Sequence, residues 1–148
     1  MILPISLTIA GAAAILHIWL SSRVVRARLP HKISVGDGGN EAVMRRMRAH
    51  ANYAENMPIF VILLALTELA GGNEWVLWGA GIAFILARLA HGFGMDGGSL
   101  GRWRSIGITL NILLLLVLAG YAIMIAYQAP AIHEGIQISP SRSAALAG

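Results

Sequence analysis

Four long apolar stretches constrain the fold of this chain more than any other feature. They cover residues 2–22, 57–70, 75–90 and 106–127. A helix needs about 20 consecutive apolar residues to cross a hydrocarbon layer of about 30 Å, and a glycine-free lead from residue 41 lengthens the second stretch. Since 57% of the chain is hydrophobic and only 12% is charged, the composition also indicates a membrane protein. We therefore predict helices at about residues 2–25, 41–70, 74–93 and 104–127.

The connections between these helices are short and rich in glycine, which predicts antiparallel neighbours. The expected fold is all-α, an integral membrane four-helix up-down bundle over residues 1–129. The start of the chain is uncharged and basic residues follow the first stretch, so we expect this helix to be retained rather than cleaved as a signal peptide. Residues 130–148 are more polar, and we expect them to form a partly disordered tail.

The basic residues are concentrated in the loops on one side of the predicted bundle. These residues are Arg23, Arg26, Arg28, Lys32, Arg45, Arg46, Arg48, Arg102 and Arg104. Because cytoplasmic loops carry an excess of Lys and Arg, we expect these loops in the cytoplasm and both termini on the other side. This topology accounts for most of the net charge of +4, so we expect no nucleic-acid partner.

The chain contains no cysteine. Disulfides, thiolate metal sites and a cysteine nucleophile are therefore excluded, and any thiol chemistry needs a thiol that a ligand brings. The histidines are dispersed along the sequence, and no carboxylate–histidine spacing is typical of a ligand set. We accordingly predict no metal site.

Arg48, Asn52 and Glu55 form a polar ridge on the second helix. Their spacing places them within about 60° of one helical face. Two interpretations stay open. In the first, Arg48 and Glu55 form an ion pair that locks the bundle, and Asn52 is an interhelical hydrogen bonder. In the second, the ridge binds a zwitterionic ligand, with an arginine on its carboxylate; a kink at Pro58 would favour such a cavity.

Further polar residues lie toward the same end of the predicted bundle. Glu41 and Arg45 extend the ridge as an i,i+4 ion pair. Arg88 and His91 lie near the end of the third helix, where Arg88 either snorkels to the interface or contacts a ligand. Arg104 lies at the start of the fourth helix, where the positive end of the dipole helps to stabilise an anion such as a thiolate.

The segment from residue 48 to residue 58 reads RAHANYAENMP. It resembles the signature of the MAPEG family, the membrane-associated proteins in eicosanoid and glutathione metabolism. That signature has an arginine, an asparagine four residues later, an acidic residue three further on, and a nearby proline. Weaker elements extend the resemblance over about residues 24–127, and it is closest to small members of the bacterial inner membrane.

The resemblance implies a homotrimer in the inner membrane that binds glutathione between subunits, in the cytoplasmic half of the bilayer. In similar proteins, residues matching Arg48, Asn52 and Glu55 hold the two ends of glutathione. The resemblance implies thiolate stabilisation by Arg104, with Arg102 as the alternative. It implies further glutathione contacts by His91, Ser105 and Arg26. The implied reaction conjugates glutathione to a lipophilic electrophile, or reduces a hydroperoxide, with a hydrophobic small-molecule or lipid substrate that arrives from the membrane lipids.

Tyrosine positions of several family members are occupied here by Asn56 and Met95, and Ile108 stands where an aromatic hydroxyl is common. Some members bind lipophiles without catalysis. The alternative is therefore a non-catalytic lipophile-binding or scaffold protein of the same fold. A small transporter subunit is a further alternative, against which the sequence shows no inverted repeat.

Overall fold

The computed structural model describes residues 2–97 and 101–128. Within these residues the chain forms helices without strands: α1 (Pro4–Arg28) with a short 3₁₀ turn (Leu29–His31), α2 (Glu41–Leu69), α3 (Glu74–Gly94) and α4 (Gly101–Gln128). The predicted all-α fold is confirmed. α1 continues beyond the predicted end at residue 25, because basic side chains in its last turn complement the helix dipole. α4 begins at Gly101, before the predicted start at residue 104. The predicted tail at 130–148 lies outside the described residues.

Three of the helices are long and apolar enough to cross a membrane, namely α1 with its 3₁₀ turn, α3 and α4. α2 is not among them by composition, because its first half carries the polar ridge. With 29 residues, α2 is nevertheless about 43 Å long at 1.5 Å per residue. The helix remains continuous through Pro58.

Asparagine side chains begin two of the helices. The Oδ1 atom of Asn40 accepts from the backbone N–H groups of Ala42 at 3.0 Å and Val43 at 3.1 Å, and Asn73 caps α3 in the same way. These acceptors satisfy donors that a helix leaves unpaired at its start. They fix where α2 and α3 begin.

α1 is capped from another helix. Its own N-cap residue, Leu3, has no side-chain acceptor. The carboxylate of Glu68, in the last turn of α2, accepts instead from the backbone N–H of Ile5 at 3.0 Å and of Ser6 at 2.7 Å. It also accepts from the Ser6 hydroxyl at 2.5 Å. An anion at the positive end of a helix is favourable, so this contact holds the start of α1 against the end of α2.

The core is apolar, and aromatic side chains lie at its centre. Phe60 of α2 and Phe84 of α3 are fully buried and stack with ring centroids 3.9 Å apart. Tyr53 is also fully buried, and its hydroxyl donates to the carbonyl of Ala13 at 2.6 Å. α1 packs on α2 and α3, and α4 packs on α3 and α2. This arrangement leaves apolar side chains of α4 on the outer surface, as lipid or subunit contact requires.

Candidate functional site

A cavity of about 630 Å³ opens between the start of α2, the end of α3 and the start of α4. We call this end of the helices the basic end of the bundle. Its volume lies within the range of about 300–1,000 Å³ that is typical of ligand pockets. Its lining combines three arginines with one glutamate and small or apolar residues: Glu41, Met44, Arg45, Arg48, Gly94, Met95, Gly97, Gly101 and Arg104. The structure therefore brings Arg48 and Arg104 to one cavity.

α2 supplies the charged residues on one wall of the cavity. Glu41, Arg45 and Arg48 follow one another at spacings of four and three residues, which keeps them on one helical face. The Oε1 atom of Glu41 accepts from Nη2 of Arg45 at 2.6 Å, which confirms the predicted ion pair. Both side chains are well exposed, at 39% for Arg45 and 69% for Glu41, so the pair stabilises the helix by only about 0.3–0.5 kcal/mol.

Two glycines let the start of α4 approach the end of α3 and so place Arg104 at the cavity. A Cβ atom on Gly94 would overlap the backbone nitrogen of Arg104. A Cβ on Gly107 would lie 2.6 Å from the carbonyl oxygen of Ala87 and 2.7 Å from the backbone nitrogen of His91. Nδ1 of the buried His91 lies 3.4 Å from the carbonyl oxygen of Arg104. A side chain larger than hydrogen at Gly94 or Gly107 would separate the helices.

Several of the other basic residues form ion pairs. Arg23 donates to Oδ2 of Asp96, and Nε of Arg46 lies 3.4 Å from Oδ1 of the same carboxylate. This cluster joins α1 and α2 to the end of α3. Within residues 2–97 and 101–128, neither Arg48 nor Arg104 forms an ion pair. The cavity therefore has two arginines whose charge is not matched by a described carboxylate.

The structure does not contain the Arg48–Glu55 ion pair that one interpretation of the polar ridge requires, as far as the described residues extend. Arg48 lines the cavity, whereas Glu55 is exposed and Asn52 is half-buried, and neither of these lines it. The Oδ1 atom of Asn52 accepts from Nη2 of Arg88 at 2.7 Å. Of the ridge residues, Arg48 therefore belongs to the cavity, whereas Asn52 contacts the interior of the bundle.

A buried polar network lies beyond the cavity, between α2, α3 and α4. Arg88 is 1% exposed, so it does not snorkel to the interface, as one prediction allowed. Its Nε and Nη1 atoms have no partner among the described residues. Nδ2 of Asn56 donates to the carbonyl of Asn52 at 2.8 Å, and Nδ2 of Asn111 donates to Oδ1 of Asn56 at 3.0 Å. The sequence identifies Asn56 only as a departure from a family tyrosine and does not predict its contact with Asn111, although asparagines in apolar helices commonly join helices in this way.

The MAPEG family model matches residues 6–124 of the chain. This chain belongs to the MAPEG family. An inner membrane protein called YecN, from Escherichia coli strain K12, is 34% identical over 117 residues, which cover 78% of this chain and 88% of the relative. YecN from Escherichia coli O6:H1 strain CFT073 matches with the same figures. The predicted family is therefore confirmed, and this MAPEG protein is an integral membrane protein.

The remaining predicted residues of this MAPEG protein do not line the cavity of the single chain. Arg26, Arg102 and Ser105 are exposed. The Nη2 atom of Arg26 lies 3.3 Å from the Ser22 hydroxyl one turn earlier in α1. Of the two arginines proposed for thiolate stabilisation, Arg104 lines the cavity and Arg102 does not.

Proposed function

We propose that this MAPEG protein is a membrane-bound glutathione-dependent transferase that acts on lipophilic electrophiles. The supporting observation is the cavity at the basic end, where Arg48 and Arg104 form no ion pair within the described ranges and line a volume of about 630 Å³. By the positive-inside rule this end faces the cytoplasm. The proposed membrane is the bacterial inner membrane.

The charges of the cavity complement those of glutathione, which carries two carboxylates, an ammonium group and a thiol. An arginine offers a bidentate fork to a carboxylate, and Arg48 is the proposed donor. A carboxylate such as Glu41 accepts from an ammonium group. A cation beside a thiol favours the thiolate, which is the proposed role of Arg104. Bound glutathione would supply the nucleophilic sulfur for conjugation, or the reducing thiol for a lipophilic hydroperoxide.

His91 and Asn52 are proposed to support this site in different ways. His91 contacts the backbone of Arg104, so it would position the turn that carries the thiolate-stabilising arginine. Asn52 is held by Arg88 from α3. A side chain that is held by a second group loses less freedom when a ligand binds. Asn52 does not line the cavity of the single chain, so its proposed role is to hold α2 and α3 together beside the site.

A homotrimer would complete the site. Glu55 is exposed on the same face of α2 as Arg48 and is followed along that face by the exposed Ile59 and Ile62. An apolar face that continues a polar ridge is suited to pack against another subunit. We propose that such packing brings Glu55, and also Arg26 and Ser105, to the cavity of a neighbouring copy.

A non-catalytic lipophile-binding protein is the second candidate. An apolar groove of about 390 Å³ lies on the outer surface between α1 and α3, lined by Ala12, Ile15, Leu16, Trp19, Ile85, Leu89 and Phe93. Such a groove suits an acyl chain. The position next to Glu55 that is a tyrosine in several family members is Asn56, and its amide is committed to Asn52 and Asn111.

Paired arginine variants distinguish the two candidates. With glutathione present, the purified protein is expected to show ultraviolet thiolate absorbance and to conjugate a generic electrophile. Arg104→Ala should abolish the thiolate signal and retain most of the binding, whereas Arg102→Ala, two residues away on the same helix, should retain both. Normal conjugation in both variants would refute a thiolate-stabilising arginine in this part of the chain. If the unmodified protein binds glutathione but conjugates no electrophile, the lipophile-binding candidate is favoured.

Arg48→Ala tests the scaffold interpretation. If Arg48 serves only to hold the bundle together, the variant should unfold in detergent without any ligand. A folded variant that has lost glutathione binding would reject the scaffold role. Circular dichroism and a glutathione titration on the same sample separate these outcomes.

A further inference from the structure

Two histidines that lie 33 residues apart in the chain meet across the contact between α1 and α2. They are far apart in the sequence and close together in the structure. The Nε2 atoms of His17 and His50 are 3.4 Å apart, whereas the ring centroids are 4.6 Å apart with an interplanar angle of 56°. The rings therefore converge through their nitrogens and do not stack. Both residues are half-buried, and Nδ1 of His17 is buried without a partner among the described residues.

The nitrogen separation is long for a hydrogen bond and suits a shared metal ion. N–H donors in proteins usually lie about 2.7–3.2 Å from their acceptors. Two nitrogens that bind one tetrahedral Zn²⁺ at about 2.0–2.1 Å lie about 3.3–3.4 Å from each other. The observed separation of 3.4 Å between the two Nε2 atoms equals the separation expected for two ligands of one tetrahedral ion.

We propose that His17 and His50 form a two-histidine site for a divalent transition-metal ion of the Zn²⁺ or Cu²⁺ type. Neutral imidazole is a preferred ligand of these ions, whereas Mg²⁺ and Ca²⁺ prefer oxygen. Among the described residues no group of three or more histidine, cysteine or acidic side chains is placed to hold a metal. Water or a small ligand would therefore take the remaining positions, and the ion would link α1 to α2.

Tyr53 of α2 lies beside the two histidines. The Tyr53 ring centroid lies 6.1 Å from that of His17, and the Tyr53 hydroxyl donates to the carbonyl of Ala13. Tyr53 is thus committed to α1 and keeps the two helices in register beside the histidines. The site is separate from the cavity at the basic end, which neither histidine lines, so the proposal stands independently of glutathione binding.

Calorimetric titration of the full chain with Zn²⁺ tests the site, using protein purified without a histidine tag and stripped with a chelator. The unmodified protein is expected to bind one Zn²⁺ per chain and to unfold at a higher temperature with Zn²⁺, since a ligand of the folded state stabilises it. His17→Gln and His50→Gln should each weaken binding at least tenfold. His31→Gln is the matched control, because His31 is exposed in the 3₁₀ turn and its ring lies within hydrogen-bond distance of the Asn40 side chain. This variant should bind Zn²⁺ as the unmodified protein does.

A second measurement covers the case in which a histidine variant does not fold. Co²⁺ bound to the unmodified protein should give the visible absorption of a site with nitrogen ligands, and Zn²⁺ should displace it. Affinity should fall as the pH decreases from about 7.5 to about 5.5, because protonated imidazole does not bind metal. Absence of Zn²⁺ binding by the unmodified protein would overturn the proposal. So would a folded His17→Gln or His50→Gln variant that binds Zn²⁺ as tightly as the unmodified protein.

Discussion

Replacing Gly107 by alanine perturbs the contact between α3 and α4 that places Arg104 at the cavity. The new Cβ atom would lie 2.6 Å from the carbonyl oxygen of Ala87 and 2.7 Å from two atoms of His91, and two of these three atoms belong to the backbone. To reach an ordinary separation of about 3.4 Å from 2.6 Å, α4 would have to withdraw from α3 by about 0.8 Å. Arg104 lies one turn earlier in α4 and would move with it.

The expected loss of stability follows from two opposing effects. Overpacking of a close contact costs about 1–3 kcal/mol. Alanine in place of glycine within a helix contributes about 0.5–1 kcal/mol in the opposite direction. The difference between the two effects is about 0–2.5 kcal/mol, so Gly107→Ala should destabilise the folded state by about 1 kcal/mol, as measured by thermal unfolding in detergent. Displacement of Arg104 by nearly 1 Å should also lower the conjugation rate about tenfold or more.

Gly120 provides the matched control on the same helix. A Cβ atom on Gly120 would have no neighbour within 4 Å. Gly120→Ala should therefore gain helix propensity without a steric cost and should raise the unfolding temperature slightly. If Gly107→Ala and Gly120→Ala have the same stability and the same conjugation rate, the close approach of α4 to α3 does not position Arg104.

Two further predictions concern polar contacts between helices. Glu68→Gln removes the charge that caps α1 and should lower the free energy of unfolding by about 1–2 kcal/mol. Glu74→Gln is the control, because Glu74 is exposed in the first turn of α3; it should lower the free energy of unfolding by less than about 0.5 kcal/mol. Equal losses in the two variants would show that the cap does not stabilise α1. A double-mutant cycle of Asn56→Ala and Asn111→Ala should give a coupling of about 0.5–1.5 kcal/mol, since hydrogen bonds between membrane helices average about 0.6 kcal/mol, and additive losses would contradict the contact.

The helices were predictable because each depends on residues that are close in the sequence. The length of an apolar stretch fixes how much chain must cross the hydrocarbon, and such stretches lie within α1, α3 and α4. The i,i+4 pair of Glu41 and Arg45 was predictable for the same reason, since one helical turn brings the two together whatever the rest of the chain does.

The partners of the other arginines depend on how the helices pack, which spacing within one helix does not determine. Asp96 lies two residues beyond the end of α3, yet it binds Arg23 of α1 and Arg46 of α2. Arg88 has the position of a snorkelling residue in the sequence, but the contact with Asn52 of α2 keeps it inside the bundle. The sequence of each helix therefore predicts the basic end of the bundle. It does not predict which arginines at that end remain available to a ligand.

The meeting of His17 and His50 was missed for a related reason. Ligand spacing within one helix cannot reveal this pair, because the two residues come from different helices. Their contact depends on the rotation of α1 against α2, which Tyr53 and Ala13 help to set across the same interface. Only the packed structure provides that rotation.

Calorimetric titration of the detergent-solubilised protein with glutathione tests the central claim most directly. The proposal predicts saturable binding that weakens at least tenfold in Arg48→Ala. Lys32→Asn is the control for charge, because Lys32 lies at the same end of the bundle without lining the cavity, and asparagine tolerates its positive φ of 53°; this variant should bind normally. Absence of saturable binding at millimolar glutathione, or equal loss in both variants, would contradict a glutathione site at the cavity.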